Sequence, residues 1–139
     1  MSHVLSSTFL RRVFLADAVL SLPSGAAMAL GSGLLSHWFG LPAWLLVPGG
    51  VALVAYAVLL FWMAERPSVP RAALWGFIGF NLLWAIDCVA IAAGVWFAPT
   101  PLGLAFLAMH VLAGLVFAEL QFMGLRRDNA ARTGQRQLA

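Results

Sequence analysis

Polar side chains are rare in the long apolar stretches of this chain, and those that occur there have the chemistry to bind a proton or a polar ligand. The candidate residues are Asp17, Ser21, Ser24, Asn81, Asp87, His110 and Glu119. A carboxylate at the centre of a transmembrane helix costs about 2.5–3.5 kcal/mol on insertion scales, so it normally faces a partner, water or the bundle interior. If these stretches cross a membrane, the polar residues within them are therefore the first place to look for a function.

The depth of each group along its stretch predicts which of them meet. Asp87 and His110 lie at equal depth, each sixteen residues from a flanking arginine, Arg71 and Arg126. We therefore expect them to be in contact. A carboxylate beside an imidazole in a low dielectric forms an ion pair or shares one proton. Such a contact either stabilises packing alone or relays protons, and the sequence leaves both interpretations open.

Two further carboxylates lie nearer the arginines, and the sequence leaves open whether they meet or stay apart. Asp17 lies six residues beyond Arg11, and Glu119 lies seven residues before Arg126. Two carboxylates in contact cannot both ionise cheaply, and the alternative is two separate, hydrated carboxylates. His110 and Glu119 are nine residues apart and point in opposite directions on a straight helix. One of them therefore faces away from the bundle, for example toward a second subunit, unless the helix is kinked.

The first apolar stretch carries a polar stripe. Asp17, Ser21 and Ser24 recur at helical spacing and share one face, while Asn81 and Tyr56 lie at middle depth in other stretches. Pro23 falls within the stripe, where its ring removes a backbone donor and frees a carbonyl. A broken helix with a polar stripe suits a substrate path, and it equally suits plain helix packing.

Small residues predict where helices approach closely. Gly25, Ala29 and Gly33 form a small-xxx-small pattern in the first stretch, and Gly114 and Ala118 form another in the last.

Known catalytic and metal-binding patterns are missing from the sequence. It contains no HExxH, no GxSxG and no phosphate loop. The single cysteine, Cys88, can form neither an internal disulfide nor a Cys-based zinc site. The two other histidines, His3 and His37, lie outside the apolar stretches, so paired haem ligands are not predicted. We expect no catalytic residue, no metal and no cofactor, and therefore no enzyme.

Composition identifies the elements that must position these residues. The 139-residue chain is 63% hydrophobic and 9% charged, whereas soluble domains are roughly 45–50% apolar and about 25% charged. A hydrocarbon core about 30 Å thick needs about 20 apolar helical residues. Four stretches are long enough, at about 13–35, 44–64, 72–97 and 102–125.

Short connections between these stretches force neighbouring helices to run antiparallel. The predicted fold class is all-α, a polytopic membrane protein with a four-transmembrane-helix bundle built of two antiparallel helical hairpins. The helical domain covers residues 11–127. A short cytoplasmic N-terminus, residues 1–10, precedes it, and a polar tail, residues 128–139, follows it and is expected to be disordered.

The arginines predict the orientation. The chain has no lysine, and all eight arginines fall at one end of a four-helix arrangement. The positive-inside rule then places both termini in the cytoplasm. Residues 10–15 resemble a twin-arginine export signal, but Asp17 interrupts its apolar region, and cleavage would leave three spans. The net charge of +3 does not predict nucleic-acid binding, because the arginines lie at helix ends rather than in a basic stripe.

An internal repeat supports the two-hairpin arrangement. Residues 56–66 align without a gap with residues 117–127, and residues 14–17 align more loosely with residues 78–81. A parallel duplication of this kind builds a site between two halves in some transporters. The alternative is a chance match between apolar strings.

Several segments together resemble a known group of proteins. They are Leu10-Arg-Arg with Leu15-Ala-Asp17, Asn81-Leu-Leu-Trp84-Ala-Ile-Asp87, Pro99-Thr-Pro-Leu-Gly103, and Glu119-Leu-Gln-Phe-Met-Gly-Leu-Arg-Arg127. The chain resembles a group of small uncharacterised four-helix bacterial inner-membrane proteins. The resemblance implies the four-helix fold and the bacterial inner membrane, and it implies no activity.

Two classes of function follow. The first is a non-enzymatic membrane component, or an assembly or partner subunit, with the bilayer and either a second copy or another membrane protein as partners. The alternative is a small proton-coupled transporter that uses the intramembrane groups Asp17, Asp87, His110 and Glu119.

Overall fold

Helices account for most of the chain in the computed structural model, which describes residues 3–5 and 7–138. In chain order the elements are β1 (His3–Leu5), α1 (Thr8–Leu30), α2 (Ser32–Phe39), α3 (Ala43–Ala64), β2 (Ser68–Pro70), α4 (Arg71–Ala92) and α5 (Pro101–Leu138). The helices α1, α3, α4 and α5 are long and apolar enough to cross a membrane. The predicted all-α, four-helix fold class is confirmed.

Some helices begin or end at residues other than those predicted, because a capping side chain or a glycine sets the end. The first span divides into α1 and α2 at Gly31, and α1 begins at Thr8 because the Ser7 hydroxyl caps the Leu10 N–H at 3.1 Å. Helix α4 ends at Ala92 rather than near residue 97, and the chain then turns through Gly94, whose φ of 73° is in the left-handed region that favours glycine.

The polar C-terminal segment is helical in the structure, where disorder had been predicted for residues 128–139. Helix α5 continues through Leu138. Arg132 Nε donates to Asp128 Oδ2 at 2.7 Å, an i,i+4 pair that favours helix. Arg71 donates to Asn129 Oδ1 at 2.7 Å and ties this extension to the start of α4. Residues 1, 2, 6 and 139 of the predicted terminal segments lie outside the described residues.

Two tightly packed hairpins form the bundle. In the first, α1 and α3 cross at glycines, since a Cβ at Gly50 would lie 2.5 Å from the backbone oxygen of Gly25 and 2.5 Å from the nitrogen of Ala29. In the second, a Cβ at Gly114 would lie 2.9 Å from the Asn81 carbonyl. The predicted close contacts at Gly25 and Gly114 are confirmed, whereas Gly33 has nothing within 4 Å.

Aromatic side chains join the two hairpins. Tyr56 of α3 stacks on Phe80 of α4 with ring centroids 4.3 Å apart. Phe14 of α1 meets Phe77 of α4 edge to face at 5.5 Å. One apolar core lies in the half of the bundle nearer the arginines and another in the opposite half.

Each end of the bundle is closed by a different contact. At the arginine end, β1 pairs antiparallel with β2, Val4 opposite Val69, and Arg132 donates to the carbonyl of His3. At the other end, the Thr100 N–H donates to the Phe39 carbonyl at 3.0 Å. The Thr100 hydroxyl accepts from Gly103 N–H at 3.1 Å and so caps α5.

Candidate polar site between the four helices

A buried carboxylate lies where the four long helices meet. Asp17 of α1 is only 2% exposed, and around it stand Tyr56 of α3, Asn81 of α4 and Gln121 of α5. Ser21, one turn further along α1, completes the group. We call these five residues the Asp17 cluster. Each spanning helix contributes at least one polar side chain to it.

Every neighbour of the carboxylate donates a hydrogen bond to it. Asp17 Oδ2 accepts from the Tyr56 hydroxyl at 2.7 Å, from Gln121 Nε2 at 3.0 Å and from Asn81 Nδ2 at 3.2 Å. Asp17 Oδ1 accepts from the Ser21 hydroxyl at 3.0 Å. An ionised carboxylate only accepts hydrogen bonds, and bonds to a charged acceptor are stronger than neutral ones. The arrangement therefore suits an ionised Asp17.

A second layer of bonds holds the donors in place. Asn81 Nδ2 also donates to the Tyr56 oxygen at 2.8 Å, and Gln121 Nε2 lies 3.4 Å from it. The salt bridges found among the described residues are both made by Asp128, with Arg71 and Arg132. The charge of Asp17 is thus stabilised by neutral dipoles rather than by a cation.

Helical phase explains why these residues face one another. On α5 the buried face includes Phe117, Ala118, Gln121 and Leu125. Glu119 precedes Gln121 by two residues, about 200° around the helix, and it is exposed. Asp17 and Glu119 are therefore separate, which excludes the alternative in which the two carboxylates meet. Gln121 bonds Asp17 instead, and Asp17 is buried rather than hydrated.

His110 forms a separate contact across the bundle. Its Nε2 lies 2.9 Å from the Ser24 hydroxyl, and its Nδ1 lies 3.0 Å from the carbonyl oxygen of Phe106. Because a carbonyl only accepts, Nδ1 carries the hydrogen in the neutral ring, and Nε2 accepts from Ser24. Both ring nitrogens of His110 therefore bond groups other than Asp87.

The predicted Asp87–His110 contact is consequently wrong. Asp87 is exposed, because the buried face of α4 is formed by Asn81, Ala85 and Cys88 at a spacing of four and three residues. The two residues lie at a similar height in the bundle, but the His110 side chain is buried and the Asp87 side chain is exposed. They still line the same cavity.

That cavity, here called the large cavity, has a volume of about 710 Å³. It lies between α3, α4 and α5 in the half of the bundle away from the arginines. Its wall is mostly apolar and aromatic, with Trp44, Trp84, Trp96, Phe97, Phe106 and Leu107 among its residues. The indole nitrogen of Trp84 is buried and has no hydrogen-bond partner within residues 3–5 and 7–138.

A small cavity of about 230 Å³ adjoins the Asp17 cluster. The polar residues in its wall are Asp17, Ser21, Ser24, Asn81 and His110. Trp84 and His110 line both cavities, so these two side chains separate the large cavity from the small one.

The predicted site residues thus fall into three groups. Asp17, Ser21 and Asn81 belong to the cluster, Ser24 and His110 form their own contact beside it, and Asp87 and Glu119 are exposed. Tyr56, which was placed only at middle depth, and Gln121, which was not predicted, are essential members. A glutamine eleven residues after His110, and so on the same helix face, was the signal that could have found Gln121.

Metal ligands do not converge in the part of the chain that the structure describes, where no group of three His, Cys, Asp or Glu side chains could hold an ion. Comparison with known proteins found no matching family model, no similar curated protein and no similar solved structure.

Proposed function

We propose that this protein is a non-enzymatic component of the bacterial inner membrane that binds a lipid-soluble molecule in its large cavity. The observation that supports the proposal is the cavity itself. Ligand pockets typically measure about 300–1,000 Å³ and combine apolar walls with a few polar groups. The large cavity has this size, and the residues of its wall are mostly apolar and aromatic, with Asp87 and His110 as the ionisable ones.

The indole of Trp84 indicates one property of the ligand. A buried donor without a partner costs about 1–3 kcal/mol. The Trp84 N–H is covered in the structure, so the indole has to rotate toward the large cavity before the carbonyl or ether oxygen of a ligand can accept from it and remove that cost. The favoured ligand class is therefore an apolar molecule with one polar, accepting end.

The arginines support an orientation for the cavity. All of them lie at the end of the bundle where β1 pairs with β2, opposite the large cavity. With the positive-inside rule, this end and both termini are cytoplasmic, and the large cavity lies in the outer half of the membrane. C-terminal fusions test the orientation, since a fluorescent protein should fluoresce and alkaline phosphatase should be inactive there. Active phosphatase would contradict it.

The Ser24–His110 contact resembles the nucleophile and base of a hydrolase, yet it does not favour catalysis. Acyl transfer also needs donors aimed at the developing oxyanion. The backbone N–H groups around both residues are used within α1 and α5, and Pro23, next to Ser24, has none. A binding role agrees better with these surroundings.

Saturable photolabelling tests the binding proposal. Protein in lipid nanodiscs is irradiated with a long-chain ketone bearing a diazirine, and labelled residues are mapped by mass spectrometry. We expect saturable labelling of the large cavity in the wild type. Ile91→Trp, which replaces an aliphatic side chain of the cavity wall with a bulky indole ring, should abolish this labelling. Ile86→Trp, on the lipid-facing side of α4 where Ile86 is 64% exposed, is the matched control. Equal, unsaturable labelling of all three proteins would contradict the proposal.

A small proton-coupled transporter is the second candidate. It is favoured by the wall that Trp84 and His110 form between the two cavities, because movement of these side chains would connect the large cavity with Asp17. Proteoliposomes with an internal pH dye test this candidate. With the long-chain ketone supplied as cargo, a membrane potential should drive proton entry through the wild type and not through His110→Gln. Equal, background-level entry in both would exclude proton-coupled transport of this cargo.

A further inference from the structure

We propose that the Asp17 cluster is a proton-binding site, in which Asp17 Oδ1 takes up a proton through Ser21 from water in the small cavity. The proposal does not depend on what occupies the large cavity. It rests on the hydrogen-bond geometry of the cluster, on an unpaired acceptor within it and on the cavity beside it.

The first step is the charge balance of the site. The groups that face Asp17 are Ser21 from its own helix, Tyr56 from α3, Asn81 from α4 and Gln121 from α5, and all of them are neutral. An ionised carboxylate in the low-dielectric interior of a bundle is costly without a cation. Proton uptake removes that charge. The four donors stabilise the ionised state of Asp17, and the low dielectric favours its neutral state.

The second step identifies the oxygen that receives the proton. Oδ2 already accepts three hydrogen bonds, whereas Oδ1 accepts one, from Ser21. A serine hydroxyl both donates and accepts, and it rotates freely about its C–O bond. With a proton on Oδ1, the bond to Ser21 reverses direction and the three bonds to Oδ2 stay in place.

An unpaired acceptor supports the uptake of one more hydrogen by the cluster as a whole. Gln121 is fully buried, and its Oε1 has no hydrogen-bond partner among the residues that the structure describes. The cluster therefore has acceptor capacity in excess of the hydrogens that its side chains supply. One more hydrogen brings the number of donors in the cluster closer to the number of acceptors. Asp17 can carry that hydrogen, or a water molecule that enters with the proton can supply it.

The same geometry disfavours a sodium ion. Sodium needs several oxygen atoms turned toward it, as other hard cations do. Around Oδ2, however, Tyr56, Asn81 and Gln121 present O–H and N–H groups. A sodium ion would have to displace these donors, whereas a proton requires only the rotation of Ser21.

The route of the proton follows the small cavity, which has room for water and is lined by Ser21, Ser24 and His110. A hydronium ion in the small cavity gives a proton to His110 Nε2 and is left as water, and the imidazolium then donates to Ser24, which reverses the present bond. His110 returns that proton to a second water molecule beside Ser21. That hydronium ion passes a proton to the Ser21 oxygen while the hydroxyl hydrogen of Ser21 moves to Asp17 Oδ1. The net result is one additional hydrogen on Asp17, and Ser21 and His110 are regenerated.

Tyr56 supplies the readout, because it is the only tyrosine in the chain and donates directly to Asp17. Infrared difference spectra of the protein in nanodiscs are recorded while pH is changed. We expect the carbonyl band of a protonated carboxyl group to grow as pH falls, together with a shift of the Tyr56 ring band at the same midpoint. Asp17→Asn should lose both signals. Glu119→Gln, which changes an exposed carboxylate on α5, should keep both.

Further measurements make each outcome decisive. If Asp17→Asn does not fold, Tyr56→Phe replaces it, and the carboxyl band at a given pH should grow because the charged form has lost a donor. After a pH jump, His110→Gln should slow the band's appearance several-fold with an unchanged end point. A carboxyl band that neither substitution alters would overturn the proposal. In a separate experiment, choline is replaced by sodium at constant pH. A shift of the Tyr56 ring band without a carboxyl band would then assign the site to sodium and would also overturn the proposal of a proton site.

Discussion

Removal of the Tyr56 hydroxyl should measure how much the Asp17 cluster contributes to the fold. In Tyr56→Phe the ring that stacks on Phe80 at 4.3 Å is kept, while the bond to Asp17 at 2.7 Å and the acceptor for Asn81 at 2.8 Å are lost. The substitution therefore separates the polar contribution of Tyr56 from its packing.

The structure sets the expected magnitude. A hydrogen bond to a charged group contributes about 1.5–3 kcal/mol in water-soluble proteins. Polar contacts within membranes average about 0.6 kcal/mol, with a maximum near 1.7. Asn81 keeps a second acceptor in Asp17 at 3.2 Å, so its N–H is not left unpaired. We expect a loss of about 1–2 kcal/mol in the free energy of unfolding.

Unfolding in bicelles, followed by steric trapping, measures this loss. Combination with Asp17→Asn gives a double-mutant cycle, and we expect the two substitutions to be coupled by about 1 kcal/mol because they remove the two ends of one bond. A loss below about 0.3 kcal/mol together with strict additivity would refute the view that the cluster ties the helices together.

Three further predictions concern other parts of the bundle. Gly50→Ala should lower the free energy of unfolding by about 1–3 kcal/mol in the same assay, because the added Cβ would overlap the backbone of α1. Gly33→Ala is the control and should have no such effect. Equal losses for both substitutions would contradict the close crossing of α1 and α3 at Gly50. Cys88, buried in the wall of the large cavity, should react with a lipid-soluble maleimide much faster than with a charged one, and equal rates would indicate an aqueous opening. Asp87→Asn and His110→Gln should be additive in unfolding free energy, because both nitrogens of His110 bind other partners; coupling near 1 kcal/mol would contradict this.

The fold class could be predicted from the sequence because it depends on length and composition. Four apolar stretches of sufficient length, joined by short connections, leave few alternatives to two hairpins. The arginines, all at one end, correctly predicted that the N-terminus, the α3–α4 connection and the end of α5 lie together. Which side of the membrane this end faces stays a prediction.

Helix rotation was the part that sequence patterns could not supply. In a soluble helix the polar face marks the outside, but residues that face lipid and residues that face the core are both apolar here. Depth alone therefore paired Asp87 with His110 and left contact between Asp17 and Glu119 open. In the structure Asp87 and Glu119 are exposed, and Gln121 faces the core.

The internal repeat was partly informative about the site. Its looser match aligned Asp17 with Asn81, and these residues meet in the cluster from equivalent helices of the two hairpins. The gapless match aligned Tyr56 with Phe117 instead of Gln121, so the other two members are not equivalent. The polar tail also differed from its prediction. The i,i+4 pair of Asp128 with Arg132 is local and readable from the sequence, whereas the contact between Arg71 and Asn129 depends on the folded bundle.

Native mass spectrometry of the protein released from its own membranes tests the central claim most directly. The account predicts that wild-type protein and Ile86→Trp carry a bound apolar molecule with one accepting polar group, and that Ile91→Trp, which reduces the large cavity, does not. Wild-type protein that carries no such molecule, or a molecule retained equally by Ile91→Trp, would contradict the account.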